Sequence, residues 1–119
     1  MGFSEKFYDF IKRVEKDPEG QKVLSTVDRK FQFQGKGYNS FIIKFLNGKI
    51  SVEEGEMKKP VFRELTVCLI NKEDLQSLIN GKLSPADAFF SQKLGMTAEM
   101  SSKGYNYGLM RLIRRAQEL

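Results

Sequence analysis

The sequence contains no histidine and only one cysteine, Cys68. Without histidine, the usual general base near neutral pH, the Ser-His and Cys-His nucleophile pairs and every histidine-ligated metal site are excluded. A single cysteine cannot form an internal disulfide, so a secreted disulfide scaffold and a cysteine-rich zinc site are excluded as well. We therefore expect no metal or other cofactor, and the reducing cytoplasm as the location.

Long apolar runs are also lacking. No stretch approaches the length of a membrane span, and the N-terminus has no uninterrupted apolar segment typical of a signal peptide. The 119 residues are 40% hydrophobic and 29% charged, which predicts one soluble globular domain over residues 1–119. Lys and Arg number 20 against 15 Asp and Glu, a net charge of +5 that is spread along the chain and does not form a nucleic-acid-binding tail.

The first third of the chain predicts two helices. Apolar residues from Phe3 to Val14 recur at helical spacing behind Ser4, which we interpret as the N-cap of the first helix. Asp17-Pro18 then provides an N-cap and a proline at the first helical position, so a second, short helix is expected to follow.

From Val27 the hydrophobic period changes to two, which predicts strands joined by hairpins. The predicted strands are Val27 to Gln34, Ser40 to Leu46, Lys49 to Glu54 and Val61 to Ile70. Asn47-Gly48 is typical of a type I′ hairpin turn. The fourth strand is expected to bury one side, formed by Val61, Leu65, Val67 and Leu69. Cys68 lies on the other side, and we expect its thiol to be inert.

The last third returns to helical spacing. Asn71 is expected to cap a helix that ends at Gly81, and Ser84-Pro85 to open a short one. A fifth strand is predicted from Lys93 to Met100 and a final helix from Asn106 to Leu119. This order predicts an α+β fold, a five-stranded and mostly antiparallel sheet covered by about five helices.

The segment from Asn80 to Leu94, NGKLSPADAFFSQKL, resembles the signature of the sterol carrier protein 2 family, G-K-x-x-P-x-x-A-F-F followed by K-L and a strand. The aromatic strand, the Asn-Gly hairpin and the E-D-L-x-x-L helix upstream fit the same family, so the resemblance covers nearly the whole chain. The sequence departs from the family at Ser91-Gln92, where a glycine is common, and in an insertion from Glu99 to Tyr107. We therefore expect the mouth of any cavity to differ.

The resemblance implies a hydrophobic cavity between sheet and helices that holds a fatty acyl chain, acyl-CoA, phospholipid or sterol for non-catalytic binding or transfer. The residues expected to line it are Phe41, Ile43, Phe89, Phe90, Met96, Met100, Leu109, Met110 and Ile113. The polar head group is expected at an entrance formed by Gln92, Lys93, Lys103, Arg111 and Arg115. Arginines on the outer side of the last helix, including Arg114, would also allow transient contact with an anionic membrane surface.

Two alternatives from other classes stay open at this stage. Aromatic strands interleaved with Lys30, Lys36 and Lys44 fit a single-stranded RNA-binding module that stacks bases on a sheet face. We expect no nucleic acid as a partner, because the face carrying Phe31 and Phe33 is needed for burial. The second alternative is an accessory protein-interaction domain. The sequence specifies neither the lipid nor the oligomeric state.

Overall fold

The structure is a computed structural model that describes residues 2–58, 64–97 and 103–119. Its helices in these ranges are α1 (Phe3–Ile11), a 3₁₀-helix (Lys12–Lys16), α2 (Pro18–Leu24), α3 (Lys72–Ile79), α4 (Pro85–Phe90) and α5 (Lys103–Glu118). The strands are β1 (Arg29–Gln34), β2 (Phe41–Leu46), β3 (Lys49–Glu54), β4 (Leu65–Leu69) and β5 (Gly95–Met96). The predicted α+β class with a five-stranded sheet is confirmed.

The sheet has the strand order β3-β2-β1-β4-β5. The central pair of β1 and β4 is parallel, and the other neighbouring pairs are antiparallel. The sheet is therefore mixed, although mostly antiparallel as predicted. The chain crosses from the β3 edge to β4 on the far side of β1, so the hairpin expected between the third and fourth strands is replaced by a crossover.

The turn between β2 and β3 has the predicted type I′ character. Asn47 and Gly48 have φ angles of 53° and 75°, and Leu46 pairs with Lys49 across the turn. Both central positions of this turn require positive φ, which asparagine and glycine tolerate best. The Asn-Gly prediction is confirmed.

One face of the sheet carries the aromatic core beneath the helices. Alternate residues of β1 and β2 point to this face, and each is at most 1% exposed: Phe31, Phe33, Phe41, Ile43 and Phe45. Helix α1 covers them through Phe7, whose ring centroid lies 4.7 Å from that of Phe33. Because these aromatic rings are covered by helices, they cannot stack nucleic-acid bases, and the geometry removes the main argument for an RNA-binding sheet face.

Strand β4 faces the opposite way from the prediction, although Leu65, one of the residues predicted to be buried, is fully buried. Cys68 pairs in register with Phe33 and is fully buried on the helix side, whereas Leu69 is 52% exposed on the outer face. Apolar residues occur on both faces because the chain after β3 begins to cover the outer one, where Met57 N–H donates to Gln32 Oε1 at 2.9 Å. The alternation of apolar residues along β4 therefore did not reveal which side of the strand faces the helices. Val61 lies outside the described residues.

Cys68 is nevertheless the inert thiol that was expected. Burial raises the pKa of its thiol well above the ordinary value, so the reactive thiolate is disfavoured.

Several predicted boundaries shift in the structure; for example, β1 begins at Arg29 and not at Val27. Helix α1 is capped by Gly2, and Ser4 lies inside the helix, where its hydroxyl donates to Glu54 Oε1 on β3. Strand β5 has only two residues, whereas the predicted strand ran from Lys93 to Met100, whose last three residues lie outside the described ranges. The last helix begins at Lys103 rather than Asn106, so part of the inserted segment is helical.

Candidate functional site

Helix α4 is held beside α5 by one glutamine side chain. Gln117 Nε2 on α5 donates to the carbonyl oxygens of Leu78 at 2.9 Å and Leu83 at 2.8 Å. These carbonyls lie at the end of α3 and in the connection to α4, so the bonds tie that connection to α5. Ser84 then starts α4, because its Oγ accepts from the backbone N–H of Asp87 at 3.1 Å.

The start of α5 is tied to the sheet by a buried polar network. Arg29 Nε on β1 donates to Thr66 Oγ1 at 2.7 Å, and this hydroxyl donates to Asn106 Oδ1 at 2.7 Å. Asn106 Nδ2 donates to the Thr97 carbonyl oxygen at 2.9 Å. Because all three side chains are buried and bonded, the network fixes where α5 begins relative to β1 and β4. The hydrophobic pattern gave no indication of it.

A groove of about 330 Å³ lies between α4 and α5, and we call it the α4–α5 groove. Its lining residues are Ser84, Pro85, Ala86, Tyr107, Met110, Arg111 and Arg114. The α5 residues among them are spaced i, i+3, i+4 and i+7, so they share one helix face. The groove is walled by apolar atoms of both helices and carries two exposed guanidinium groups.

A second groove, of about 480 Å³, lies between α2 and α5 and is more polar. Its lining residues are Glu19, Lys22, Val23, Arg111, Arg114, Arg115 and Glu118. Arg111 and Arg114 line both grooves, so they form the ridge between an apolar compartment and a polar one. An apolar slot that ends at two guanidinium groups suits an amphiphile with an anionic head.

Four of the residues predicted to line a cavity meet in the core: Phe41, Ile43, Leu109 and Ile113 are all fully buried in one cluster. Met96 is half-buried and packs against that cluster. Met110 is half-buried and lines the α4–α5 groove. Met100 lies outside the described residues. The lining role of these residues stays a prediction.

Phe89 and Phe90 are not brought together with the core residues. Their side chains are 41% and 80% exposed, and their rings contact each other edge to face with centroids 5.6 Å apart. They lie three and four positions after Ala86 on α4, and therefore on the same side of the helix as this groove-lining residue.

Among the residues predicted for the head group, Arg115 is engaged elsewhere. Its Nε and Nη2 donate to the carboxylate of Asp17, the N-cap of α2, at 2.7 and 2.9 Å. The guanidinium lowers the pKa of Asp17 from 3.8 to about 2, and the carboxylate in turn raises the pKa of Arg115. Arg115 therefore joins α2 to α5.

The remaining predicted head-group residues are placed as follows. Arg111 lines the α4–α5 groove, Gln92 and Lys93 are exposed just after α4, and Lys103 begins α5. Arg114, expected on the outer side of the last helix, also lines this groove. Sequence reasoning did not place Tyr107 at the site, although its spacing of i−3 from Met110 was a usable signal.

An open mixed sheet covered by helices on one face, with an apolar groove beside the last helix, defines a class of small α+β folds. The model of the SCP-2 sterol transfer family matches residues 7–101, and the chain therefore belongs to this family of sterol and lipid carriers. The matched range ends before α5, so the groove residues on α5 lie outside it. No curated protein sequence has a significant match to this chain.

Solved structures share the fold over almost the whole chain. The sterol carrier protein domain 2 of Helicoverpa armigera is 26% identical, with a TM-score of 0.67 over 96% of this chain and 90% of that chain. A palmitated SCP2L2 from Aedes aegypti is 20% identical, with a TM-score of 0.67 over 95% of each chain. The UbiJ-SCP2 ubiquinone synthesis protein is 14% identical, with a TM-score of 0.69 over 95% and 94%.

None of the helices in the described ranges has the length and apolar character needed to cross a lipid bilayer.

Proposed function

We propose that this protein binds one amphipathic lipid and transfers it without catalysing a reaction. The observation that carries the proposal is the α4–α5 groove, whose apolar walls end at Arg111 and Arg114. In this arrangement the acyl chain contacts Tyr107 and Met110, and a carboxylate or phosphate head binds the two guanidinium groups.

The two arginines favour a lipid with an anionic head over a sterol, whose single hydroxyl group carries no charge. Charge-assisted hydrogen bonds from guanidinium to carboxylate or phosphate are about twice as strong as neutral ones. A fatty acid fits this chemistry, and the Aedes aegypti neighbour of the same fold is palmitated. An acyl-CoA is the variant of this ligand whose phosphate-bearing head would occupy the polar groove near Lys22.

The acyl chain is proposed to continue from the groove towards the core. Leu109 and Ile113 flank Met110 on α5 and pack in the same cluster as Phe41 and Ile43. A chain that passes Met110 and separates these packed side chains contacts further apolar atoms, and each methylene that it buries contributes about 0.8 kcal/mol. Met96 and Met100 belong to the same proposed lining.

Loading and delivery are proposed to occur at an anionic membrane surface in the cytoplasm. The net charge of +5 attracts the protein to such a surface, where lipids of the proposed class are available.

The head-group assignment is tested by reversing both charges on the ridge, Arg111→Glu with Arg114→Glu. We expect the affinity for a fluorescent fatty acid to fall about tenfold or more, because two charge-assisted contacts become repulsive. The affinity for the methyl ester of the same acid should change by no more than about twofold, since the ester carries no charge and uses only the apolar walls.

The matched control is Lys36→Glu with Lys49→Glu, which changes the net charge equally at exposed lysines outside both grooves. Circular dichroism verifies that both double variants are folded. Equal binding of acid and ester by the wild-type protein, unaffected by the ridge variant, would refute the head-group role. Binding of neither compound would favour the protein-interaction alternative.

A further inference from the structure

The tip of α4 carries the most exposed large apolar side chain in the described part of the protein, Phe90 at 80%. Phe89 packs against it and is 41% exposed, and Tyr107 on α5 is 64% exposed. Fully exposed aromatic rings gain free energy when an apolar phase covers them, and clusters of such rings mark interaction sites.

The charged groups around this tip are mainly basic. Lys93 follows Phe90 by three residues and is exposed, and Arg111 and Arg114 line the groove to which Pro85 and Ala86 of the same helix, α4, contribute. Asp87 is the one acidic side chain of α4. We call this surface, formed by Phe89, Phe90, Lys93, Tyr107, Arg111 and Arg114, the aromatic-basic face.

Leu46, the most exposed of the described aliphatic side chains, has a different setting. Leu46 on the outer face of the sheet is 61% exposed, but no other exposed apolar side chain of the described ranges lies beside it, and the acidic Asp28 and Glu64 line its hollow together with Arg29, Lys30 and Lys44. The coincidence of exposed aromatic rings with an excess of positive charge is therefore a property of the α4 tip and α5.

We propose that the aromatic-basic face is the membrane-docking surface of the protein and that its partner is a bilayer containing anionic phospholipids. Phe89 and Phe90 insert among the acyl chains at the interface, while Lys93, Arg111 and Arg114 bind the anionic head groups. This inference rests on the proposed function, because docking here brings the α4–α5 groove to the membrane from which a lipid is taken.

The absence of tryptophan from the sequence provides a direct probe. Phe90→Trp places the only indole of the protein at the tip, with a conservative change of shape. With vesicles of phosphatidylcholine and phosphatidylserine, we expect its emission to shift to the blue and to be quenched by brominated acyl chains. Both effects should weaken with phosphatidylcholine alone and at high salt, because the basic groups lose their electrostatic contribution.

The matched control is Leu46→Trp on the outer sheet face, which should show no shift with the same vesicles. A second variant, Phe90→Ser, should reduce vesicle association in sedimentation about tenfold, since it removes the inserted ring. An unshifted Phe90→Trp spectrum, a shift equal to that of Leu46→Trp, or a shift that follows self-association without vesicles would overturn the docking proposal.

Lipid binding is measured separately with the fluorescent fatty acid in the absence of vesicles. If the acid binds but Phe90→Trp does not respond to vesicles, the docking proposal fails and the proposed function survives. If Phe90→Trp responds but neither the acid nor any other lipid binds, the docking surface survives and the proposed function fails.

Discussion

Gln92 occupies a backbone position that normally favours glycine. Its φ is 66°, and it follows the end of α4 in a turn in which Lys93 N–H donates to the Ala88 carbonyl oxygen at 2.9 Å. The end of α3 has the same hydrogen-bond pattern, but there the equivalent residue is Gly81, with a φ of 75°. A side chain in this left-handed region is strained, whereas glycine is not.

We predict that Gln92→Gly raises the free energy of unfolding by about 0.5–1 kcal/mol, because relief of the strain outweighs the greater freedom of glycine in the unfolded chain. Gly81→Ala is the matched control and should lower it by about 1 kcal/mol, since a Cβ at Gly81 meets no atom within 4 Å and only the backbone strain remains. Urea denaturation measures both changes. A destabilised Gln92→Gly would mean that the glutamine side chain makes a contact worth more than the strain.

The sequence marked position 92 as a departure from the family pattern but did not show its backbone conformation. The Ser91-Gln92 departure from the family pattern was visible in the letters, yet only the structure shows that Gln92 adopts the conformation of the missing glycine. The exposure of Phe90 was likewise beyond the sequence, because an aromatic pair in a short helix fits a core equally well.

Between elements, the ion pair of Asp17 and Arg115 links the start of α2 to α5. Because Arg115 lowers the pKa of Asp17 from 3.8 to about 2, folding favours the charged carboxylate. The stabilisation is complete above the unfolded-state pKa and is lost as the pH falls through the folded-state pKa, so the window lies between about pH 4 and pH 2.

We predict that Asp17→Asn, which can still cap α2, lowers the urea midpoint near neutral pH, and that its difference from the wild type shrinks as the pH falls from about 4 to 2. Glu19→Gln is the control. Its carboxylate is 3.6 Å from Arg115 and largely exposed, so its replacement should have little effect. A pH-independent difference for Asp17→Asn would show that the ion pair does not couple α2 to α5.

Elements with local signals were predictable and elements set by tertiary contacts were not. Asp17-Pro18 and Asn47-Gly48 carry their capping and turn chemistry in adjacent residues, so α2 and the β2–β3 hairpin follow from the letters. The inner side of β4 depends instead on a crossover and on a polar core residue, Thr66, which bonds to Asn106 forty residues later in the chain. An alternating hydrophobic pattern carries no information about the crossover or about the hydrogen bond of Thr66.

For the whole molecule, the order of helices and strands predicted the α+β class, and the structure shows an apolar groove between α4 and α5. Arg111 and Met110 were expected at the site, and they lie together in the α4–α5 groove with Tyr107 and Arg114. Arg115 is bound to Asp17 and lines the neighbouring polar groove, so its predicted head-group role stays a prediction. Helical spacing identifies which residues share a face but not which neighbouring helix each side chain meets.

The central claim, that the protein carries an amphipathic lipid at the α4–α5 groove, is tested most directly by native mass spectrometry of freshly purified protein. We predict the mass of the chain plus one anionic acyl lipid, which organic extraction then releases for identification. Met110→Asp should yield the bare chain and Met110→Leu the loaded one, because a charge on the groove wall would have to be desolvated by the acyl chain and a similar apolar side chain would not. A wild-type protein that shows only the mass of the bare chain, even after incubation with fatty acid, acyl-CoA and phospholipid, would contradict the claim.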